Sequence, residues 1–255
     1  MEENADDPLG VLDRMTQILQ AFDEDDRGLR LSQLARHSGL PKSTVSRLVG
    51  TLVRHHYLER DGRLIHLGLR VFELGQLARE PRELRTAALP VMLQLRDRTG
   101  ENIHLAIRDG QEIVCVAAMR GRSGAPSRVR VGARLPAHAT ALGKAMLAHS
   151  PGSVLDDTLA GGLEALTPMT ITDEAALHRQ LVDIRSGALA AEEREFAPDV
   201  SCAASAVFAP GGRLAGALSV SGRADGLDVE GIAPLLRAAA NTLTRRLATV
   251  VSTLD

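Results

Sequence analysis

The residues that most restrict the fold of this chain are 31–54, LSQLARHSGLPKSTVSRLVGTLVR. Their spacing predicts two short helices meeting at a tight turn. The first opens at Ser32, carries Leu34 and Ala35 inward and stops at Gly39, since glycine accepts the left-handed conformation that ends helices. Pro41 suits the first helical position, where its missing N–H costs nothing. Val45, Leu48, Val49, Leu52 and Val53 then recur at i, i+3, i+4, i+7 and i+8, an apolar stripe at helical period. The opposite face carries Lys42, Ser43, Thr44, Ser46, Arg47 and Arg54. Small, hydroxylated and cationic, it suits a helix against the phosphates and base edges of a major groove. An ordinary amphipathic helix with a solvated basic face gives the same pattern when taken alone.

The neighbourhood favours nucleic acid. Between residues 27 and 70 the basic side chains are Arg27, Arg30, Arg36, Lys42, Arg47, Arg54, Arg60, Arg63 and Arg70, opposed only by Glu59 and Asp61. The whole chain has a formal net charge of −2, so this excess is a local footprint rather than an effect of composition. Aromatic residues are 2% of the chain, with no Trp, which argues against single-stranded binding by base stacking. Cys115 and Cys202 show neither metal-ligand spacing nor a disulfide framework, and no metal or cofactor is expected. An acidic start unlike a signal peptide and the lack of a spanning apolar run predict a cytoplasmic protein with no membrane partner.

The 255 residues suffice for two modest domains. Residues 1–7 are polar and expected to fray. Asp7 and Pro8 open a helix through Phe22 that packs Val11, Met15, Ile18, Leu19 and Phe22 against the helix pair, and residues 23–26 form an acidic loop. After the basic helix, Tyr57 to Glu59 and Leu64 to Leu67 flank Arg60-Asp61-Gly62-Arg63, an Asp-Gly hairpin signal. A wing carrying Arg60 and Arg63 there reaches phosphates or a minor groove; a hairpin that merely caps the fold is the plainer reading. A helix with Leu69, Phe72 and Leu77 is expected to break at Pro81, where the domain boundary falls, giving domains 1–80 and 81–255. Apolar positions exposed on this linker would serve dimerisation.

A second helical pattern, through Leu84, Leu89, Val91, Met92 and Leu95, stops at Gly100. The period then changes to two. Ile103, Leu105 and Ile107 alternate, Asp109-Gly110 turns, Ile113 to Val116 return, and Val129 and Val131 suggest another strand. Helices follow at 139–150 and 173–186, strands at 201–208 and 213–221, and a last helix at 229–251. Hairpins with flanking helices predict an α+β domain.

GLPKSTVSRLVGTLVRHHYLE at 39–59, RLPAHATALGKAMLA at 134–148, and the Cys202 strand leading to ALSVSG at 217–222 together resemble the IclR-type bacterial transcription regulators. The resemblance covers almost the whole length. It implies a winged helix-turn-helix domain, a linker helix and a GAF-like effector-binding domain. It also implies a double-stranded, pseudo-palindromic DNA operator, a small-molecule effector, a homodimer or tetramer, and repression as the expected sign. Carried over residue by residue, it assigns Leu135, Ala141 and Leu142 to the segment closing over the ligand and Cys202 to the pocket floor. Val200 becomes an apolar wall, Ser219 and Ser221 meet the ligand's polar end, and Glu192 falls near an acidic pocket position. The chain departs from the family pattern at Ala188, Asp199, Ala206 and Arg223.

The chemistry is sensible on its own terms. Backbone N–H groups at the start of the Thr140 helix are oriented for a carboxylate. Ser219 and Ser221, two apart on a strand, share a face, although serines on a strand need no ligand and a buried cysteine commonly acts as a small hydrophobe. Two other functions compete. Cys202, His138, His104 and Glu192 could supply a nucleophile and base, but no nucleophile motif surrounds Cys202. A DNA-binding protein that uses its second domain only to oligomerise would show no ligand-dependent stabilisation.

Overall fold

The computed structural model describes residues 10–22 and 27–251, and the chain divides into two compact units between Arg79 and Glu80. The expected helix opening at Asp7 and Pro8, the frayed 1–7 segment and the acidic 23–26 loop lie outside the described residues.

The first unit runs α1 (Val11–Gln20), β1 (Leu29–Arg30), α2 (Leu31–Ser38), α3 (Lys42–Arg54), β2 (Leu58–Asp61), β3 (Leu64–Leu67) and α4 (Leu69–Leu77). Ile18, Leu34, Val45, Val49 and Ile65 meet in an aliphatic core with no exposed surface. Val53 is half-buried, and Val11, expected inward, is exposed because the core reaches α1 only near Ile18. Ser32 is not the helix cap. The chain is already extended at Arg30, where β1 pairs with β3, and the Arg30 N–H donates to Gln33 Oε1 at 2.9 Å. Gly39 ends α2 at φ 69°, as its chemistry requires. Pro41 is the cap of α3 rather than its first residue, since its carbonyl accepts from the Val45 N–H at 3.0 Å while its ψ of 138° is extended.

The hairpin pairs Arg60 with Ile65 and Asp61 with Leu64, which leaves Gly62 and Arg63 as the loop. Gly62 has φ 55° and Arg63 has no positive φ. Glycine therefore takes the first central position, a choice that differs from the Asp-Gly turn expected above. The short β1, invisible to pattern reading at two residues, makes the sheet three-stranded in the order β1-β3-β2.

In the second unit α5 (Arg79–Thr99) leads into β4 (Asn102–Asp109), β5 (Glu112–Met119) and β6 (Arg134–Pro136). Then come α6 (Ala141–Ala148), α7 (Gly152–Ala160), α8 (Glu174–Arg185), β7 (Ala190–Glu193), β8 (Val200–Phe208), β9 (Leu214–Arg223) and α9 (Val229–Val251). Pro81 does not break a helix; it sits in the first turn of α5, where a missing N–H is harmless. Leu89, counted with the inward residues of that helix, is exposed. Val129 and Val131 form no strand: Val131 is exposed, Val129 packs inward from a loop, and the strand begins at Arg134.

The six strands are antiparallel in the order β6-β5-β4-β9-β8-β7. Both faces are covered. Leu105, Ala203, Leu218 and Val220 face α5 and α9, whereas Ala106, Ala204 and Ala217 face α6 and α8. Alanine at these central positions lets α6 lie close, and all eight of its residues are buried. Toward one end of the same face the register gives two cross-strand rows, Asn102–Ser221–Cys202–Glu192 and His104–Ser219–Ala204–Ala190. The face that is apolar under α6 thus becomes polar at its end.

Candidate functional site

Each unit carries a candidate surface. In the first, Lys42, Ser43, Ser46, Arg47 and Arg54 are exposed along α3 and Thr44 is half-buried. The stripe Val45, Leu48, Val49 and Leu52 anchors the other side of the helix in the core, so the polar face is fixed rather than floppy. Arg54 donates to Thr51 Oγ1 at 3.2 Å. Arg60 on β2 and Arg63 in the hairpin loop are exposed. A rigid helix whose cations pair with no acid among the described residues, with small hydroxyls on the same face, is able to seat in a duplex groove.

In the second unit Leu135, Leu142, Glu192, Val200, Cys202, Ser219 and Ser221 line one enclosed hollow of ≈ 30 Å³. Ala141 does not reach it and packs into the core under α6. Four segments complete the wall: His104 from β4, Thr140 capping α6, Phe196 after β7, and Pro126, Arg128 and Val129 from the loop before β6. The loop is tied down by Asn102, whose Oδ1 accepts from the Gly121 N–H at 2.9 Å and whose Nδ2 donates to the Ala125 and Pro126 carbonyls. The sequence offered His104 only as a possible base, on the polar side of an alternating strand, and Val129 only as a strand residue; Pro126 and Arg128 gave no signal. A larger groove of ≈ 560 Å³ involves Glu83, Arg108, His149 and Arg213. Volume alone would select it, but a ligand site is marked by polar groups converging in an apolar enclosure, which describes the smaller hollow.

The floor of the hollow is chemically specific. Ser221 Oγ and His104 Nδ1 lie 3.4 Å apart, while His104 Nε2 is buried without a partner. Burial lowers the His104 pKa to about 4, so the ring is neutral near pH 7. Glu192 Oε2 accepts the N–H groups of Glu195 and Phe196 at 3.0 and 3.4 Å, and Oε1 has no partner. Burial pushes the Glu192 carboxyl above its ordinary value, against the pull of the Cys202 thiol and those two N–H groups. Burial, with the Glu192 charge second, raises the Cys202 thiol well above its usual range. Such a thiol is a poor nucleophile, and His138 is spent elsewhere, 3.0 Å from the Glu164 carbonyl. At the rim, Arg128 pairs with Asp199 at 2.7 Å. Behind the wall the fully buried Lys144 ammonium meets both Glu195 oxygens at 2.6 and 2.7 Å.

A winged helix-turn-helix unit followed by a covered antiparallel sheet with a polar-ended hollow is the build of a duplex-binding module joined to a module able to enclose a small molecule. The sequence model described as "Bacterial transcriptional regulator IclR C-terminal" matches residues 77–245 and that of the "IclR helix-turn-helix domain" matches residues 11–62. The chain belongs to the IclR family: a DNA-binding helix-turn-helix domain joined to an effector-binding domain, a regulator rather than an enzyme. The HTH-type transcriptional regulator XynR of Escherichia coli is 31% identical over 92% of this chain and 96% of that protein. The HTH-type transcriptional repressor AllR of Klebsiella pneumoniae is 31% identical over 89% and 84%. A solved IclR homologue from Microbacterium hydrocarbonoxydans, complexed with 4-hydroxybenzoate, superposes with a TM-score of 0.87 at 28% identity, covering 93% of this chain and 99% of that one. No described helix of the present chain is long and apolar enough to cross a membrane.

Proposed function

We propose that this protein is a cytoplasmic repressor that releases or remodels its grip on DNA when a small carboxylate occupies the hollow beside α6. The observation that carries the reading is the convergence of Ser219, Ser221, His104, Cys202 and Glu192 on one enclosure otherwise walled by aliphatic side chains. Leu135, Leu142 and Val200 supply the apolar wall, and the floor's hydroxyls, imidazole and carboxyl offer the hydrogen bonds that fix a polar end. The complex of the Microbacterium homologue makes aromatic carboxylates the first compounds to test.

On the DNA side, Lys42, Ser43, Thr44, Ser46 and Arg47 read the major groove, while Arg54, Arg60 and Arg63 hold phosphates or the minor groove. Two such units in a homodimer, or in each half of a tetramer, demand a pseudo-palindromic operator with matching half-site spacing. Leu69, Phe72 and Leu77 on α4 are exposed and suit such an assembly. The effector acts only through different affinities for two arrangements of the assembly.

Arg47→Ala is expected to weaken binding to the operator duplex by about ten- to a hundredfold at fixed salt, leaving the thermal unfolding of the second unit unchanged. Gel-shift or fluorescence titration against duplexes from the protein's own genomic neighbourhood measures this. Unchanged affinity would remove Arg47 from the interface, and equal affinity for random duplex would remove the operator itself.

A further inference from the structure

The hollow has no free cation to receive a carboxylate. Lys144, the cation on α6, is claimed by both oxygens of Glu195, and Arg128, from the loop before β6, is held by Asp199. The other polar groups lining the hollow with Glu192 are the Cys202 thiol on β8, the Ser219 and Ser221 hydroxyls on β9, the His104 ring on β4 and Thr140 at the start of α6. Arg128 and Arg223 both act on Asp199, and Lys144 is bound to Glu195, so Glu192 is the carboxylate here with no ion pair of its own among the described residues. A second carboxylate brought into this enclosure shares it with Glu192, and like charges sharing a buried site keep a proton.

The hydrogen bonds say where that proton goes. Glu192 Oε2 is committed as an acceptor by two backbone N–H groups, while Oε1, on a residue 3% exposed, has no partner. We propose that Glu192 meets the effector as a carboxylic acid, its Oε1–H donating to an oxygen of the bound carboxylate. Ligand and protein then share one proton, and binding draws that proton from solvent whenever Glu192 is ionised beforehand. The inference rests on the hollow being a carboxylate site and names how that site recognises its ligand. Burial of Glu192 works in the same direction, favouring the neutral acid.

The sign follows from linkage. Below the ionisation of Glu192 the donor is already present and affinity is independent of this group. Above it, each pH unit removes up to tenfold in affinity, because one more proton is bound in the complex than in the free protein. Glu192→Gln makes the distinction sharp. The glutamine oxygen takes over the two backbone N–H groups, and its NH₂ occupies the Oε1 position as a permanent donor.

Calorimetric titration of the full chain with 4-hydroxybenzoate, benzoate and propionate between pH 5.5 and 8.5, in buffers of different ionisation heat, tests this. The expected result for the natural protein is uptake of up to one proton at the alkaline end with falling affinity, while Glu192→Gln binds with pH-independent affinity. Binding without proton uptake across that range, or a tenfold loss in Glu192→Gln at pH 5.5, overturns the proposal and leaves the carboxylate site standing. If the glutamine variant fails to fold, proton uptake by the natural protein decides alone. If none of the three carboxylates binds at pH 5.5 while 4-hydroxybenzamide does, the carboxylate reading itself is wrong and the shared proton falls with it.

Discussion

Lys144→Met is expected to lower the stability of the second unit by about 3–5 kcal/mol, the usual effect of stripping one partner from a buried ion pair. The lysine has no exposed surface and its ammonium lies 2.6 and 2.7 Å from the two Glu195 oxygens. Burial pulls its pKa down while Glu195 holds it up. Methionine fits the same channel but leaves the Glu195 carboxylate facing an apolar helix. Glu195 cannot turn to water, because Thr170 Oγ1 donates to its backbone carbonyl at 2.7 Å and Thr167 Oγ1 donates to the carbonyl of Arg194 at 2.6 Å. Removing both charges, as Lys144→Met with Glu195→Gln, recovers most of the loss, since an ion pair replaced as a whole is close to neutral. Urea denaturation of the four proteins in the cycle measures the coupling. A single variant within 1 kcal/mol of the natural protein would mean the pair is hydrated in solution.

Gly143→Ala, one residue away, is expected to cost about 3 kcal/mol by a different mechanism. A Cβ at Gly143 would lie 2.1 Å from the Ala137 carbonyl oxygen and 2.3 Å from its Cα. The obstacle is backbone, which cannot swing aside as a side chain would, so α6 must lift from the 137–140 corner. Overpacking against a rigid neighbour typically costs 1–3 kcal/mol, and here it also strains the bond from the Gly143 N–H to Thr140 Oγ1, 3.1 Å long. Leu142 and Thr140, both lining the hollow, move with the helix start. The variant is therefore expected to lose carboxylate binding along with stability, measured by denaturation and by ligand-induced thermal shift. A stable variant with unaltered binding would show that α6 has slack at its beginning.

Local signals carried most of the first unit. The stripe from Val45 to Leu52, the left-handed Gly39 and the cationic face of α3 are all consequences of spacing within one helix. The caps were less legible: Arg30 rather than Ser32 begins α2 because β1 pairs with β3, a contact between residues far apart in sequence. In the second unit, β7 has the sequence AAEE, which has no intrinsic preference for a strand and exists because β8 offers it an edge. The strand Asn102–Asp109 was read for one buried face, through Ile103, Leu105 and Ile107. Helices cover both faces of this sheet, so Asn102, His104 and Ala106 are buried as well, and His104 escapes a search for half-buried alternation. Arg128 reaches the hollow from an irregular loop that only the fold brings there.

The hollow described above holds about two water molecules at most, whereas 4-hydroxybenzoate has ten heavy atoms. A guest of that size needs the wall to give way, and if the loop held to Asn102 is the part that yields, its three hydrogen bonds must break first. Uptake then obeys the tempo of that rupture rather than the frequency of collisions. At rising effector concentration the observed rate levels off at the loop's own opening rate in stopped-flow traces.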